Sequence, residues 1–189
     1  LENVRLFEGE TENLSSLAQS FSHLGEIFIN DAFSVSHREH ASVVGVAKIM
    51  LSYFGPTFAR ELEHLEKALA PKPPALFIVG GAKISTKLAL IKQYLDKGVK
   101  VFVGGAMVHN IWKEKGLEIG KSLYDPTYKL SENFVHHPLL LTPKDVVLST
   151  GETVTIDKIP TDGVVVDCGN QTVEMLSSLM ALSNTVIAN

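Results

Sequence analysis

Residues Ala75 to Lys87 read Ala-Leu-Phe-Ile-Val-Gly-Gly-Ala-Lys-Ile-Ser-Thr-Lys, and this stretch decides the fold. An apolar run of strand length ends at Gly80-Gly81, and a helical pattern carrying Lys83 and Lys87 follows at once. The glycines permit a sharp turn and let a ligand approach the backbone N–H groups. A helix N-terminus adds N–H donors, and lysines four positions apart share one helical face. The stretch therefore predicts a polyphosphate site, with a plain strand-to-helix turn and solvated lysines as the alternative.

Strand and helix patterns alternate from this stretch to the end of the sequence. The strands are predicted at Ala75–Val79, Lys100–Val103, Leu139–Leu141, Val164–Asp167 and Thr185–Ile187. The helices are predicted at Ser85–Lys97, Met107–Lys115, Pro126–His136 and Gln171–Leu182. Such alternation predicts βαβ units, that is, an α/β fold with a mostly parallel sheet covered on both faces.

Glycines follow several of these strands, namely Gly80-Gly81, Gly104-Gly105 and, after Asp167-Cys168, Gly169. Parallel sheets bind their ligands at the carboxyl ends of the strands. The recurrence of glycine at this edge strengthens the prediction of a ligand cleft there.

The residues before Ala75 predict a second α/β region. Strands are predicted at Val4–Phe7 and Glu26–Asn30, and helices at Asn13–His23, Ala41–Tyr53 and Thr57–Leu69. The last helix carries an apolar stripe and an (i, i+4) pair between Glu63 and Lys67. Pro71, Pro73 and Pro74 then prevent the helix from continuing. We therefore place a domain boundary on this helix and its proline-rich exit.

The polar loop after Asn30 holds the second concentration of unusual residues. Arg38 offers a planar set of donors suited to phosphate or carboxylate, and His37 and His40 lie beside it in sequence. The alternative is a surface loop with a solvated Arg38 and with His40 packed near the next helix.

Composition excludes several classes of protein. The 189 residues suffice for one large or two small domains. A net charge of −4 argues against a nucleic-acid-binding surface, and no apolar stretch reaches the roughly 18 residues of a membrane span. Cys168 is the only cysteine, which excludes an internal disulfide and fits a cytoplasmic location.

Four further sequence features are interpreted as structural. Gly116–Ser122 resembles a phosphate-binding loop but is one residue short between its glycines, so we interpret it as a turn. His136-His137 is expected at a helix end, and His109 and Trp112 are expected to pack. No set of residues has convincing metal-ligand spacing, so no metal site is predicted in the chain.

Taken together, these motifs resemble those of the phosphoglycerate kinase family. The family pattern Asn-Asp-Ala-Phe followed by His-Arg-x-His-Ala-Ser stands at Asn30–Phe33 and His37–Ser42. The pattern Gly-Gly-Ala-Lys-(Val/Ile)-x-x-Lys stands at Gly80–Lys87, and Glu-Leu-x-x-Leu-x-Lys-Ala-Leu stands at Glu61–Leu69. Leu-Glu-Asn-x-Arg begins at Leu1, and Gly-Lys-Ser-Leu begins at Gly120, so the resemblance covers the whole chain in order.

The resemblance implies two Rossmann-like three-layer α/β/α domains with mostly parallel sheets, both incomplete and joined by a long helix. Residues 1–56 would end the domain that binds 3-phosphoglycerate. Residues 57–74 would form the inter-domain helix and linker, and residues 75–189 would form a nucleotide-binding domain without its C-terminal part. The chain would thus be an internal fragment of a cytoplasmic, monomeric glycolytic enzyme that moves a phosphoryl group between 1,3-bisphosphoglycerate and ADP. Mg²⁺ would accompany the nucleotide, with its protein ligand outside this chain, and no nucleic-acid or membrane partner is implied.

The family's site residues carry over by position. Arg5, His37 and Arg38 match the 3-phosphoglycerate site, and Arg38 also belongs to the expected catalytic set with Lys83 and Lys87. The nucleotide site would take both lysines together with Gly81, Gly104, Gly105, Gly169 and Asn189. The chain departs from the family pattern at Thr86, Ala106, Asn170 and Ala188, all in the nucleotide half. A catalytically inactive, truncated or divergent nucleotide-binding fragment is therefore the alternative function.

Overall fold

A computed structural model describes residues 2–189, which form two compact units. The first unit ends at Ala70 and the second begins at Pro71. The predicted mixed α/β fold with mostly parallel sheets is confirmed, since six strands pair only in parallel and three pair antiparallel among the described residues. The division into residues 1–56, 57–74 and 75–189 stays a prediction.

The first unit contains one small parallel sheet and its helices. Its elements are a 3₁₀ helix at Val4–Leu6, α1 at Ser15–Ser22, β1 at Ile27–Asn30, a 3₁₀ helix at Phe33–Val35, a π-helix at Ala41–Gly45, α2 at Val46–Ile49, β2 at Leu51–Phe54 and α3 at Pro56–Leu69. Strands β1 and β2 pair with Ile27 opposite Leu51. The buried centre of this unit is small and consists of Ala18, Ala41 and Val46.

Two predicted elements of this unit are wrong. Val4–Phe7 is not a strand, because the side chain of Asn3 accepts a hydrogen bond from the N–H of Arg5 and closes a local turn. The predicted helix over Ala41–Tyr53 ends at Ile49, and strand β2 follows. Apolar periodicity cannot distinguish a buried helix from a buried strand, and pairing with β1 decides in favour of the strand.

Helix α3 begins at a well-defined cap. The carboxylate of Asp31 accepts a hydrogen bond from the N–H of Phe58 at 2.8 Å, which chiefly lowers the pKa of Asp31. A Cβ on Gly55 would lie 2.4 Å from this carboxylate, so the close approach requires glycine. The ring of Phe58 stacks on Phe54 at 4.3 Å. The Asp residue of the Asn-Asp-Ala-Phe motif thus fixes the start of α3.

The second unit contains two sheets. In chain order it has β3 at Ala75–Val79, a 3₁₀ helix at Ile84–Thr86, α4 at Leu88–Asp96, β4 at Lys100–Val103, α5 at Met107–Glu114, α6 at Glu132–Val135, β5 at Leu140–Leu141, β6 at Asp145–Leu148, β7 at Thr153–Thr155, a 3₁₀ helix at Ile156–Lys158, β8 at Val165–Cys168, α7 at Asn170–Ala181 and β9 at Thr185–Ala188.

The larger sheet is parallel and has the strand order β5-β4-β3-β9. Strand β3 lies in its interior and is buried at four of its five positions, as expected for a strand covered on both faces. Core residues on α4 and α5, among them Ile91, Ile111 and Trp112, are fully buried in the same apolar cluster. The carboxyl ends of β3, β4 and β9 are therefore held at one rigid edge.

The smaller sheet is antiparallel, with the order β7-β6-β8, and was not predicted. Strand β8 was expected in the parallel sheet, but it pairs with β6 instead. The predicted helix over Pro126–His136 is also mostly absent, because only α6 is helical there. Asp125 accepts hydrogen bonds from the N–H and the hydroxyl of Thr127 and holds the preceding segment in a turn.

Candidate functional site

Two glycine turns meet at the carboxyl edge of the parallel sheet. Gly81, after β3, has a φ of +142°, and Gly105, after β4, has a φ of +62°, which are values that L side chains rarely adopt. A Cβ on Gly105 would lie 3.0 Å from both the N and the O of Gly81. The carbonyl of Gly81 accepts a hydrogen bond from the N–H of Met107 at 3.0 Å, which joins the first turn to the start of α5.

Asn189 completes this edge from the neighbouring strand β9. Its carbonyl accepts a hydrogen bond from the N–H of Gly80 at 3.0 Å, and its own N–H donates to Ile78 at 3.0 Å. The ammonium group of Lys87 donates to the side-chain oxygen of Asn189. The structure thus brings together Gly81, Gly105, Lys87 and Asn189, and we call these residues the glycine-lysine cluster.

The two lysines do not share a helical face as predicted. Lys83 is extended and exposed, and it precedes the 3₁₀ helix Ile84–Thr86. Lys87 occupies the N-cap position of α4. The hydroxyl of Thr86 donates to the carbonyl of Lys83 at 2.9 Å and closes a tight turn between the two lysines. The backbone therefore changes direction between them.

Gly169 belongs to a different sheet from the other predicted glycines. It follows β8 and is the N-cap residue of α7. Its N–H donates to the carbonyl of Asp145 at 3.0 Å, and a Cβ on Gly169 would lie 2.2 Å from the Asp145 carboxylate. Position 169 therefore requires glycine because a larger residue would clash with the Asp145 carboxylate of the protein, and not because a ligand approaches it.

Asp145 is an important residue that the sequence analysis missed. It is 2% exposed, and its carboxylate accepts hydrogen bonds from the N–H of Gln171 at 3.0 Å, the N–H of Thr172 at 2.9 Å and the hydroxyl of Thr172 at 2.6 Å. Burial raises the pKa of Asp145, but these hydrogen bonds outweigh it and lower the pKa overall. The negative charge therefore stays at the N-terminus of α7, where the helix dipole favours it.

A cavity of about 280 Å³ begins beside Gly105. Its wall includes Ala106, His109 and Trp112 on one side and residues 164–168, which contain β8, on another. Leu123 also contributes, and the Nδ1 atom of His109 lies 2.6 Å from the Leu123 carbonyl oxygen. His109 and Trp112 are buried, as the prediction that they pack requires. The half-buried Cys168 lies in the same wall, and burial raises the pKa of its thiol.

The segment Gly116–Ser122 is a turn, as predicted. The N–H of Lys121 donates to the carbonyl of Gly163 at 2.8 Å, and the hydroxyl of Ser122 accepts from the N–H of Val165 at 2.9 Å. These contacts fix the segment to the chain leading into β8. The first contact also occupies the N–H group of Lys121, which a phosphate-binding loop would need for its ligand.

The predicted acidic-sugar residues lie in the first unit. Arg5 is exposed on the 3₁₀ helix Val4–Leu6, and His37 is exposed in the loop that follows β1. Arg38 is half-buried, and its Nε atom is buried without a hydrogen-bond partner in the described part of the chain. Arg38 therefore retains donor capacity for an anion. A shared cleft for Arg5 and Arg38 stays a prediction.

A buried carboxylate supports this loop and was also missed. Glu10 is 1% exposed, and its carboxylate accepts hydrogen bonds from the N–H of Ser42 at 3.0 Å and from the Ser42 hydroxyl. The Nδ1 atom of His40 lies 3.6 Å from the same carboxylate, so His40 packs as the structural alternative proposed. Glu10 anchors the chain just after Arg38.

Residues 2–189 contain no group of three or more His, Cys, Asp or Glu residues that could hold a metal ion. None of the helices described in these residues is long and apolar enough to span a membrane.

Comparison with known proteins identifies the family. The phosphoglycerate kinase family profile matches residues 1–189. The phosphoglycerate kinase of Bartonella tribocorum is 35% identical to the chain over an alignment of 203 positions, which covers 100% of this chain and 51% of the relative. That of Cereibacter sphaeroides is 36% identical over the same shares. The chain thus spans about half the length of the curated relatives it matches.

Solved structures agree with the profile. The phosphoglycerate kinase of Coxiella burnetii superposes with a TM-score of 0.85 at 33% identity, over 99% of this chain and 52% of that one. The enzyme of Pyrococcus horikoshii gives a TM-score of 0.77 at 24% identity, over 99% of this chain and 53% of that one, and shows the shared fold alone. On the whole-chain profile match, this chain belongs to the phosphoglycerate kinase family.

Proposed function

We propose that the complete native polypeptide containing these residues transfers a phosphoryl group between 1,3-bisphosphoglycerate and ADP, giving 3-phosphoglycerate and ATP. An oxygen of the ADP β-phosphate attacks the acyl phosphate, and the carboxylate of 3-phosphoglycerate leaves. The observation that carries the proposal, beside family membership, is the glycine-lysine cluster at the carboxyl edge of the parallel sheet. We further propose cytoplasmic, monomeric action on the family relationship alone.

The glycine-lysine cluster suits the nucleotide phosphates. The turns at Gly81 and Gly105 carry no side chain that would shield the backbone from a phosphate. Lys87 adds a cation held in place by Asn189, and the exposed Lys83 adds a second, mobile one. Phosphoryl transfer depends on positioning and on stabilising the charge of the phosphoryl oxygens, and both lysines supply positive charge for it. Gly104, which follows β4 directly, completes the proposed nucleotide site.

Gly169 takes an indirect part in this proposal. Because the Asp145 carboxylate already accepts hydrogen bonds at the N-terminus of α7, that helix end is a poor site for phosphate. Cys168, which adjoins Gly169, instead borders the cavity beside Gly105, where the nucleoside would lie.

Arg5, His37 and Arg38 are proposed to bind the acidic sugar. The unpartnered Nε of Arg38 is the specific support, because a half-buried guanidinium with a free donor favours an anionic ligand. The family implies Mg²⁺ with the nucleotide. The described residues contain no group of three or more His, Cys, Asp or Glu side chains, so the protein ligand of the ion is proposed to lie outside this chain.

A nucleotide-binding module without catalysis is the second candidate. The cavity wall contains Asp167 but no lysine or arginine, and the N-terminus of α7 is occupied by the Asp145 carboxylate. Both observations favour the module, because they leave few groups beyond the lysines of the glycine-lysine cluster to stabilise a transferring phosphoryl group. A coupled assay of the complete polypeptide with 3-phosphoglycerate, ATP and Mg²⁺, beside calorimetric titration with ADP, separates the two functions. Turnover supports the kinase, whereas ADP binding without turnover supports the module.

A further inference from the structure

Glu10 is a buried carboxylate in a unit whose apolar core is small. It is 1% exposed, whereas the buried apolar cluster of the first unit consists of Ala18, Ala41 and Val46. Burying a carboxylate costs free energy unless hydrogen bonds compensate for it. A buried carboxylate in this place therefore has a role other than apolar packing.

The contacts of Glu10 converge on one short segment of the chain. Its carboxylate accepts hydrogen bonds from the N–H of Ser42 at 3.0 Å and from the Ser42 hydroxyl, and the Nδ1 atom of His40 lies 3.6 Å away. Its backbone carbonyl accepts a hydrogen bond from the N–H of Ala41 at 2.9 Å. Buried polar groups that are satisfied in this way make a structure rigid and unique. Glu10 thus fixes three consecutive residues, 40–42.

Arg38 lies between this segment and a turn. Its N–H donates to the carbonyl of Val35 at 3.0 Å, and only Glu39 separates it from the residues that Glu10 holds. The Nε atom of Arg38 has no hydrogen-bond partner in the described part of the chain, so Nε does not help to hold the side chain. The backbone anchors on both sides therefore determine the point from which the Arg38 side chain extends.

We propose that Glu10 is a positioning residue, which holds the backbone after Arg38 so that the guanidinium meets the acidic sugar in a fixed orientation. The inference rests on the proposed function, in which Arg38 binds that substrate. A carboxylate in contact with an anionic substrate would repel it, whereas the Glu10 carboxylate is buried and accepts hydrogen bonds from Ser42. The effect of Glu10 on the reaction therefore passes through Arg38.

The test is a double-mutant cycle between Glu10 and Arg38 in the complete native polypeptide. Glu10→Ala should lower kcat/KM for 3-phosphoglycerate by roughly 10- to 100-fold, the range for a small misplacement of a binding group. The calorimetric Kd for ADP should not change. In a protein that already carries Arg38→Ala, the same substitution should lower kcat/KM by less than about 3-fold, because no guanidinium remains to be positioned. A residue that acts on stability alone would give equal losses in both backgrounds.

Milder variants distinguish positioning from misfolding. Glu10→Gln keeps an oxygen for the N–H of Ser42, so it should recover most of the kcat/KM that Glu10→Ala loses. The matched control is Glu12→Ala, which alters an exposed carboxylate of the same segment and should leave kcat/KM unchanged. Thermal unfolding shows which variants fold. If Glu10→Ala does not, the cycle with Arg38 is measured with Ser42→Ala, which removes the hydroxyl bond alone, and the same criterion of non-additivity applies.

The outcomes separate this inference from the proposed function. A wild-type polypeptide without turnover would overturn both. Turnover in the wild type, with equal losses from Glu10→Ala in the presence and absence of Arg38, would leave the kinase in place and overturn the positioning role alone. An unchanged kcat/KM in Glu10→Ala, or an equally large loss of ADP affinity, would also overturn it. A loss that is confined to 3-phosphoglycerate and depends on Arg38 would confirm it.

Discussion

The ammonium group of Lys87 donates a hydrogen bond to the side-chain oxygen of Asn189, although 102 residues separate the two in sequence. The contact joins the N-cap of α4 to the end of β9 across strand β3. It holds the cation at the carboxyl edge of the sheet, beside the left-handed turn at Gly81. A lysine fixed in this way is positioned before any ligand binds, which is the condition for effective electrostatic stabilisation of a transition state.

Lys87→Ala in the complete polypeptide is therefore expected to lower kcat more than it raises the KM for nucleotide. A contact that strengthens as charge redistributes affects turnover, whereas one made equally in the ground state affects KM. Steady-state kinetics in the coupled assay measure both constants. Lys92→Ala, an exposed lysine on α4, is the control and should leave both unchanged. An unaltered kcat in Lys87→Ala would remove Lys87 from the catalytic residues and leave Lys83.

Arg38→Ala is expected to weaken the use of 3-phosphoglycerate and to spare nucleotide binding. The Nε of Arg38 has no hydrogen-bond partner in the described part of the chain, and removing one positioned donor costs about 2–4 kcal/mol of transition-state stabilisation. The measurements are kcat/KM for 3-phosphoglycerate and the calorimetric Kd for ADP. Arg60→Ala on α3 serves as the control because Arg60 is exposed. An equal loss in kcat/KM for 3-phosphoglycerate and in ADP affinity would mean that the variant misfolds and that the assignment of Arg38 to the sugar site fails.

The sequence predicted the parts of the fold and site that depend on local signals. The apolar run Ala75–Val79 and the glycines after it specify a buried strand and a turn within a few residues. The helical placement of Lys83 failed because the Thr86 hydroxyl bonds backward and favours a tight turn, which periodicity does not reveal. The small antiparallel sheet did leave a signal, since Gly151 separates the apolar run of β6 from the alternating Thr-Val-Thr of β7.

Long-range contacts account for the rest of the site. His109 and Trp112 were expected to pack, and both are buried. The cavity that they line has another wall formed by residues 164–168, more than 50 residues away in sequence. The role of Asp145 likewise depends on contact with Thr172 across the start of α7. No local pattern identifies such partners.

Asp145→Asn is expected to lower the free energy of unfolding by about 1–3 kcal/mol, because the buried donors of Thr172 and the partly buried N–H of Gln171 lose a charged acceptor. The folded state lowers the pKa of Asp145, so its contribution is fully present above the unfolded value of about 3.9 and is lost as pH falls through the folded pKa. Urea unfolding near neutral pH should show this difference in unfolding free energy between wild type and Asp145→Asn. The difference should narrow below about pH 4. The exposed Asp162→Asn is the control. A difference between wild type and Asp145→Asn that does not change with pH would rule out the charged cap.

The isolated 189-residue chain is expected to lack measurable kinase activity and to associate in solution. Strands β1 and β2 form a sheet of two strands whose apolar side chains are exposed, with Leu51 at 60% and Phe54 at 65%. A two-stranded sheet is marginally stable by itself, and apolar strands left uncovered pair with other chains.

Ile29 and Tyr53 lie opposite each other in this sheet and are 59% and 56% exposed. The double variant Ile29→Lys and Tyr53→Glu should therefore raise the monomeric fraction without restoring turnover. Size-exclusion chromatography with light scattering measures the first quantity and the coupled assay the second. A monodisperse wild-type chain with turnover near that of the complete polypeptide would contradict both expectations.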